Sequence, residues 1–259
     1  MLPIIPPDVR IASGHFFNNA ARSIVILPNA NGFPRALPDG WPYSVRLTGT
    51  VTQSSGLAGP FAKSAAGTND GIYFDSSGFN YTGFTLVVLV RFGSITTDNL
   101  FFGTNVSSTG AEIVCGLNSS GGLKITAPFR GDIINATPPV AINTAKVYAV
   151  GYSYNSSTGA AATSVDGVAA GTATAAFSMS NGRYGFGYPG NGSWKQENDF
   201  YLFALCFAPL PMAALCELTR DPTAILDLPR ARKRYFGAVI SGGGGGGGGN
   251  PWNYYAQAA

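Results

Sequence analysis

Short apolar runs separated by turn residues fill the stretch 46–208 and constrain the fold more than any other feature of the sequence. The run at 84–90 is apolar at every position except Thr85, a pattern typical of a central strand that is buried on both faces. Glycine, asparagine and serine separate the further runs at 100–102, 113–117, 123–126, 147–154 and 200–207. Such runs, roughly 8–12 residues apart and without a helical pattern, predict an all-β sandwich of two antiparallel sheets.

Two local patterns late in the chain predict a hairpin and a helix. Asp166-Gly167 lies between apolar residues, and this dipeptide favours the tight turn of a β-hairpin. Met212, Leu215 and Leu218 recur at a spacing of three residues, which gives a helix one apolar side. We therefore expect one short C-terminal helix over 210–219.

The first 45 residues are rich in proline, which occurs at positions 3, 6, 7, 28, 34, 38 and 42. Proline lacks a backbone N–H and is confined to the edges and ends of sheets. We therefore interpret residues 1–45 as an extended N-terminal arm that lies over the sandwich or over a neighbouring molecule, and we expect no central strand there. The sandwich domain is predicted to span residues 46–228.

The C-terminal arm, 229–259, combines a basic strap, a glycine tether and an aromatic tip. The basic strap contains Arg230, Arg232, Lys233 and Arg234. An unbroken run of eight glycines follows at 242–249, and polyglycine behaves as a flexible coil. The aromatic tip carries Trp252, Tyr254 and Tyr255. Because aromatic residues are enriched at interfaces, this layout predicts docking onto another protein; the alternative is a disordered terminus with aromatic residues present by chance.

The charge is concentrated in the basic strap. The strap holds four of the 16 Lys and Arg residues, against 13 Asp and Glu in the whole chain, so the rest of the chain is near neutral. A nucleic-acid-binding protein would spread its basic residues over a surface. We therefore expect the strap to meet an acidic patch on a protein partner and expect no nucleic acid, the alternative being a solvated basic stretch. No apolar run is long enough to span a membrane, so no membrane partner is expected.

The cysteine pattern and the low charge favour assembly inside a cell. Cys115, Cys206 and Cys216 form no CxxC pair, and an odd count provides no disulfide framework. Buried thiols are typical of a reducing compartment. Charged residues make up 11% of the chain, far below the ~25% usual for soluble domains, which suits a surface held in a large assembly.

Three segments resemble the concanavalin A-like lectin/glucanase family of the laminin-G-like kind. They are 69–74, the hairpin 165–168, and the strand 200–208 with Pro209-Leu210-Pro211 and a short helix ending at Asp221-Pro222. The resemblance covers roughly residues 46–226 and implies a jelly roll of two antiparallel sheets. Its closing segment, followed by a basic strap, is similar to versions found in virion proteins of tailed bacteriophages. Family members include glycan-binding lectins, glycanases and inert adhesion or assembly modules, so the fold implies no single function.

The sequence offers no catalytic constellation. A glycanase of this fold needs two facing carboxylates, but Glu112, Glu197 and Glu217 are the only glutamates and none has the required neighbours. We expect Glu197 and Asp199 to be solvated at a strand edge. The single histidine, His15, lies in the proline-rich arm and is not expected to act in catalysis or metal binding. No cofactor and no metal are predicted, since the candidate calcium ligands are more simply explained as turn residues: Asp70, Asp75 and Asp166.

One glycine-rich loop offers groups that suit a sugar. Aromatic faces and amide side chains bind pyranose rings, and here they are Tyr184, Tyr188, Asn191 and Trp194. The interpretation that we favour is that these aromatic residues close the core of the sandwich, with sugar binding as the alternative.

These patterns lead to a structural function. We expect a non-enzymatic protein of a bacteriophage virion, assembled in the host cytoplasm, that decorates or joins capsid, neck or tail subunits through its arms and is present as a homo-oligomer or in many copies. The alternative is a glycan-binding module that helps the particle attach to a host surface.

Overall fold

The structure is a computed structural model. It describes residues 9–19, 23–27, 35–37, 45–48, 62–64, 71–75, 81–104, 112–128, 130–177, 179, 183–186 and 198–227. For 35–37, 45–48, 62–64, Arg183 and 71–75 apart from Ile72, the backbone alone is described.

The described residues form strands and one α-helix. The strands are β1 (Arg10–Ile11), β2 (Ser23–Leu27), β3 (Arg35–Leu37), β4 (Val45–Thr48), β5 (Ala62–Ser64), β6 (Gly71–Asp75), β7 (Gly83–Phe92), β8 (Asn99–Thr104), β9 (Ile113–Leu117), β10 (Leu123–Ala127), β11 (Gly131–Ala136), β12 (Tyr148–Asn155), β13 (Ala160–Val165), β14 (Val168–Thr174), β15 (Arg183–Phe186), β16 (Asn198–Cys206) and β17 (Leu226–Asp227). The helix α1 spans Met212–Arg220, and a 3-10 turn follows at Pro222–Ile225.

The strands form two large antiparallel sheets, which confirms the predicted jelly-roll sandwich. The seven-stranded sheet has the order β11-β10-β9-β8-β15-β6-β4. The eight-stranded sheet has the order β14-β13-β12-β7-β16-β2-β3, with β5 also paired to β16. A small third sheet pairs β1 with β17, joining the two ends of the described chain.

Strand β7 lies in the middle of the eight-stranded sheet and is buried on both faces, as its apolar run predicted. Phe84, Leu86 and Val88 face the core between the two sheets. Val87 and Leu89, on the opposite side of the strand, belong to a second apolar cluster on the outer face of the sheet. Alternate residues of a strand point to opposite faces. Because an apolar cluster covers each face of β7, nearly every position of the strand is apolar.

The core between the sheets is rich in aromatic residues whose polar groups are hydrogen-bonded. The Tyr152 hydroxyl donates to the Gly116 carbonyl at 2.8 Å, and the Tyr154 hydroxyl donates to the Phe177 carbonyl at 2.9 Å. Burial raises the pKa of the Cys115 thiol, and burial followed by the nearness of Cys115 raises the pKa of Tyr152. These groups are therefore neutral, which suits a dry core.

The outer face of the eight-stranded sheet is covered by the N-terminal residues, α1 and the 3-10 turn. Its cluster includes Val9, Ile11 and Phe17 from the first described residues, and Leu215 and Ile225 from the end of the domain. The predicted helix is confirmed with bounds shifted by one or two residues. Its apolar side packs against β12 and β13. Leu215 lies directly over Gly151 of β12.

The expectation of no central strand before residue 46 is wrong. Strand β2 pairs with β16 on one side and with β3 on the other, and all five of its residues are buried. The prolines at 28 and 34 flank this strand without interrupting it, so its backbone N–H groups remain able to bond. The first described residues are thus part of the sandwich and not only an arm lying over it.

The predicted hairpin is confirmed at the turn between β13 and β14. Asp166 and Gly167 have φ values of 48° and 84°, the left-handed pair that a tight two-residue turn needs. The Asp166 carboxylate accepts the backbone N–H of Ala149 at 2.9 Å and pairs with Lys146 Nζ at 3.1 Å. This residue therefore acts as a turn acid.

Among the described residues no helix has the length and apolar character needed to cross a membrane.

Candidate functional site

The aromatic sugar site predicted from the sequence is not supported at its first residue. Tyr184 is only 1% exposed and packs edge-on against Phe207, with 4.8 Å between ring centroids. Its ring therefore closes the core, which is the favoured interpretation of the sequence and not the alternative one. Tyr188, Asn191 and Trp194 lie outside the described residues.

The predicted docking residues of the C-terminal arm also lie outside the described residues. These are Arg230, Arg232, Lys233, Arg234, Trp252, Tyr254 and Tyr255. Their role stays a prediction.

Several carboxylates of the described residues are engaged in ion pairs. Asp199, expected at a solvated strand edge, is instead buried and accepts Arg91 Nε at 2.8 Å. Its neighbour Glu197 lies outside the described residues. Asp98 and Asp132 both contact Lys124 Nζ at 3.3 Å, and Glu217 contacts Arg220 at 2.8 Å.

The part of the chain that the structure describes contains no group of three or more His, Cys, Asp or Glu arranged to hold a metal ion. Of the candidate calcium ligands, Asp166 accepts the Ala149 N–H and pairs with Lys146. Asp70 and the side chain of Asp75 are outside the description.

A groove of about 520 Å³ lies on the outer face of the eight-stranded sheet. It runs beside the edge strand β14, over β13 and β12, and is bounded by residues 209–212, which lead from β16 into α1. Its volume is within the ~300–1,000 Å³ range of small-ligand sites. This groove is the candidate functional site.

The floor of the groove consists of two rows of side chains that strand register places on one face. Ser153 pairs with Ala162, and Ala162 pairs with Thr172. In the next row Ala160 pairs with Thr174. Residues directly opposite each other share a face of the sheet. Because Tyr152 and Tyr154 point into the core, Ser153 and its row face outward.

Hydrogen bonds to the sheet hold the wall of the groove in place. The Ser153 hydroxyl donates to the Leu210 carbonyl at 2.8 Å and accepts the Leu210 N–H at 2.9 Å. One step earlier, the Thr85 hydroxyl donates to the Ala208 carbonyl at 2.7 Å. The wall itself is apolar, formed by Pro209, Leu210, Pro211 and Met212.

Polar groups are present at one end of the groove. The Asn155 side-chain oxygen accepts the backbone N–H groups of Ser157 at 3.0 Å and Thr158 at 3.2 Å. This leaves the Asn155 amide nitrogen as a donor whose orientation is fixed. Thr172 and Thr174 are exposed, so their hydroxyls are accessible to a ligand.

Sequence reasoning did not identify this groove. Its residues come from three separate parts of the chain and are mostly Ala, Thr, Ser and Pro, types that are common on any sandwich surface. The one usable signal is the Pro209-Leu210-Pro211 segment, which predicts a rigid extended link after the closing strand.

No protein-family model and no curated protein matches the chain. Solved structures do match. The binding domain of botulinum neurotoxin DC in complex with SialylT has a TM-score of 0.56 at 16% identity, covering 78% of this chain and 52% of that one. The same binding domain in complex with rat synaptotagmin II has a TM-score of 0.54 at 14% identity, with coverages of 78% and 52%.

The receptor binding domain of botulinum neurotoxin mosaic serotype C/D has a TM-score of 0.54 at 12% identity and covers 78% of this chain and 51% of that chain. The chain therefore spans about half the length of these toxin binding domains. At these identities the likeness is one of fold alone. It is consistent with the concanavalin A-like jelly roll that the sequence resembles, and the matched structures are binding domains.

Proposed function

We propose that this protein is a non-catalytic binding module that attaches to glycans through its jelly-roll sandwich. The observation that carries the proposal is the open groove beside β14, which offers hydroxyl and amide groups at one end and an apolar wall along its side. Sugars present both hydroxyl groups and apolar C–H faces, so a site of this composition suits them.

The state of the carboxylates supports binding without cleavage. Glycoside hydrolysis needs one carboxyl group that donates a proton and a second that acts as nucleophile or base. In the described part of the chain Asp98, Asp132, Asp199 and Glu217 are each paired with a Lys or Arg. The oxygens of these carboxylates are thus already engaged by a cation.

The fold likeness gives secondary support. Two of the matched structures are toxin binding domains in complexes, one with SialylT and one with a protein, synaptotagmin II. Those ligands belong to the toxin domains. The matched structures are binding domains, and binding is the kind of activity proposed for this chain.

Retention on immobilised glycans tests the proposal. We expect the full-length protein to bind a subset of a glycan array and to release the bound glycan chemically unchanged, with no reducing ends formed. Because none of the described residues that line the groove is charged, retention should be nearly the same at about 0.05 M and 0.5 M salt, whereas attraction through the basic strap would be screened. Absence of retention at both salt concentrations would exclude glycan binding. Release of cut glycan would exclude the non-catalytic function.

A second candidate function is docking to other proteins through the C-terminal arm, as expected for a structural protein of a bacteriophage virion. The observation that favours it is the order of basic strap, eight glycines and aromatic tip. Eight flexible residues have a root-mean-square reach of about 15 Å, enough to bridge neighbouring subunits. Trp252, Tyr254 and Tyr255 would supply the contact area, with the basic strap adding salt-sensitive attraction.

Deletion of residues 241–259 tests this docking function. The melting temperature of the isolated protein should stay nearly unchanged, while incorporation into assembled particles should fall at least several-fold. A triple alanine variant of Trp252, Tyr254 and Tyr255 keeps the tether and should show the same loss. Normal incorporation of both variants would leave the C-terminal arm without a docking role.

A further inference from the structure

We propose that the groove beside β14 binds a neutral oligosaccharide, one without carboxylate, sulfate or amino groups. This inference rests on the proposed function and adds to it the charge class of the ligand and the groove residues that bind it.

The charge class follows from the lining. None of the twelve described residues that line the groove is Lys, Arg, His, Asp or Glu. A charged ligand group would lose part of its hydration there without gaining an ion pair. The start of α1 at Met212 contributes only a weak partial positive charge. That contribution suits a hydroxyl oxygen and is too small to select a carboxylate or sulfate.

The polar end of the groove provides donors and acceptors for hydroxyl groups. The Asn155 amide nitrogen can donate, because two backbone N–H groups already engage the amide oxygen. The Thr172 and Thr174 hydroxyls have no hydrogen-bond partner among the described residues, and both side chains are exposed. Hydroxyl groups donate and accept, so these three side chains can pair with sugar hydroxyls in either direction.

The apolar wall provides the second half of sugar recognition. Pro209, Leu210 and Met212 are half-buried, so each presents part of its surface to the groove while packing on the protein. Ala160 on the floor is exposed and small, which leaves depth for a ring above it. A pyranose can therefore lay a C–H face on the wall and direct its hydroxyls towards β14.

The groove is held in shape before a ligand arrives. The two Ser153 bonds to Leu210 fix the wall to β12, and the Thr85 bond to Ala208 fixes it to β7. At the polar end, Gly159 is buried with a φ of 72° and its carbonyl accepts the Ala175 N–H at 2.9 Å. Rigid sites lose less entropy on binding, so a short neutral ligand does not need charge to bind measurably.

The experiment compares matched variants of the full chain on an array with two arms. One arm carries neutral oligosaccharides ending in glucose, galactose, mannose or N-acetylglucosamine, and the other carries sialylated and sulfated oligosaccharides. Ala160→Phe fills the groove, and Ala176→Phe places the same ring at an exposed position outside the lining. Thr172→Val with Thr174→Val removes the hydroxyls, and Thr137→Val is the matched control in an exposed loop. Melting temperatures identify any variant that has lost its fold.

We expect the parent protein to bind neutral oligosaccharides. Ala160→Phe and the double Thr→Val variant should each weaken this binding at least ten-fold, while both control variants bind as the parent does. Binding confined to the acidic arm would overturn the neutral ligand but leave glycan binding intact. Neutral binding that folded Ala160→Phe retains would overturn this groove as the site, again without affecting the proposed function. If neither arm is bound by the folded parent, the proposed function fails and this inference fails with it.

Discussion

Single side-chain hydroxyls fasten the outer layer of the protein to the eight-stranded sheet. Thr85 and Ser153 bond the link before α1, and the Thr219 hydroxyl lies 3.0 Å from that of Ser164 beneath the helix. A buried hydroxyl without a partner costs free energy, so each bond specifies one position of the layer above it. The position of the groove wall is therefore fixed by Thr85 and Ser153, and that of α1 by Ser164.

His15 gives the protein a testable pH dependence at the level of one residue. Its Nδ1 accepts the backbone N–H of Phe17 at 3.2 Å, and burial lowers the pKa of His15 from its usual value of 6.5. The unfolded chain therefore binds more protons than the folded protein just below pH 6.5. Stability is present in full above that pH and is lost as the pH falls through the lowered pKa of His15.

Urea unfolding between pH 7.5 and pH 5 measures this loss. His15 is the single histidine of the chain, so the decrease in the free energy of unfolding over this range should be smaller in His15→Asn. Asparagine retains an acceptor for the Phe17 N–H but does not titrate. Identical pH dependence in the two proteins would show that His15 protonation is not coupled to folding.

At the scale of elements, the sequence predicts best those parts whose structure requires particular residue types at neighbouring positions. The run at 84–90 predicts β7, and Asp166-Gly167 predicts the hairpin, because burial and left-handed backbone each demand particular residue types. Strand β2 could not be predicted, since the prolines around it obscure a five-residue strand. Tyr184 could not be separated from an exposed sugar-binding residue, because only its pairing in β15 shows that its ring faces the core. The groove could not be predicted, because it forms where segments that are distant in the sequence come together and none of them has a recognisable sequence pattern.

The packing of helix α1 on strand β12 gives a testable prediction. A Cβ added at Gly151 would lie 2.7 Å from the Thr219 methyl group and 2.9 Å from Leu215 Cδ1, which is closer than side chains pack. Gly151→Ala should therefore lift α1 and destabilise the protein by about 1–3 kcal/mol, as overpacking does. Urea unfolding measures the change.

A second substitution separates the steric effect from other effects of alanine. Thr219→Ser removes the methyl group that would collide and keeps the hydroxyl that bonds Ser164. In the Gly151→Ala background it should recover part of the lost stability. A double variant no more stable than Gly151→Ala would place the strain elsewhere.

At the scale of the whole molecule, the two ends of the described chain are built into one structure. Arg10 pairs with Asp227, and the Ala12 N–H donates to the Ile225 carbonyl at 2.9 Å. The N-terminal residues contribute both a strand of the sheet and part of the layer over it. The predicted domain 46–228 would therefore lack material that the sandwich core uses.

The last prediction follows from that arrangement. A chain reduced to 46–228 loses seven buried apolar residues: Val9, Ile11, Phe17, Ile24, Val25, Ile26 and Leu27. At ~1.5–3 kcal/mol for each fully buried side chain the loss is roughly 10–20 kcal/mol, as large as the ~5–15 kcal/mol by which domains are stable. It also exposes the edge of β16, which β2 covers. We expect calorimetry to show no cooperative melting of 46–228, whereas the matched chain 1–228, which loses only the C-terminal arm, should melt near the temperature of the full-length protein. Cooperative melting of 46–228 at that temperature would restore the interpretation of residues 1–45 as a dispensable arm.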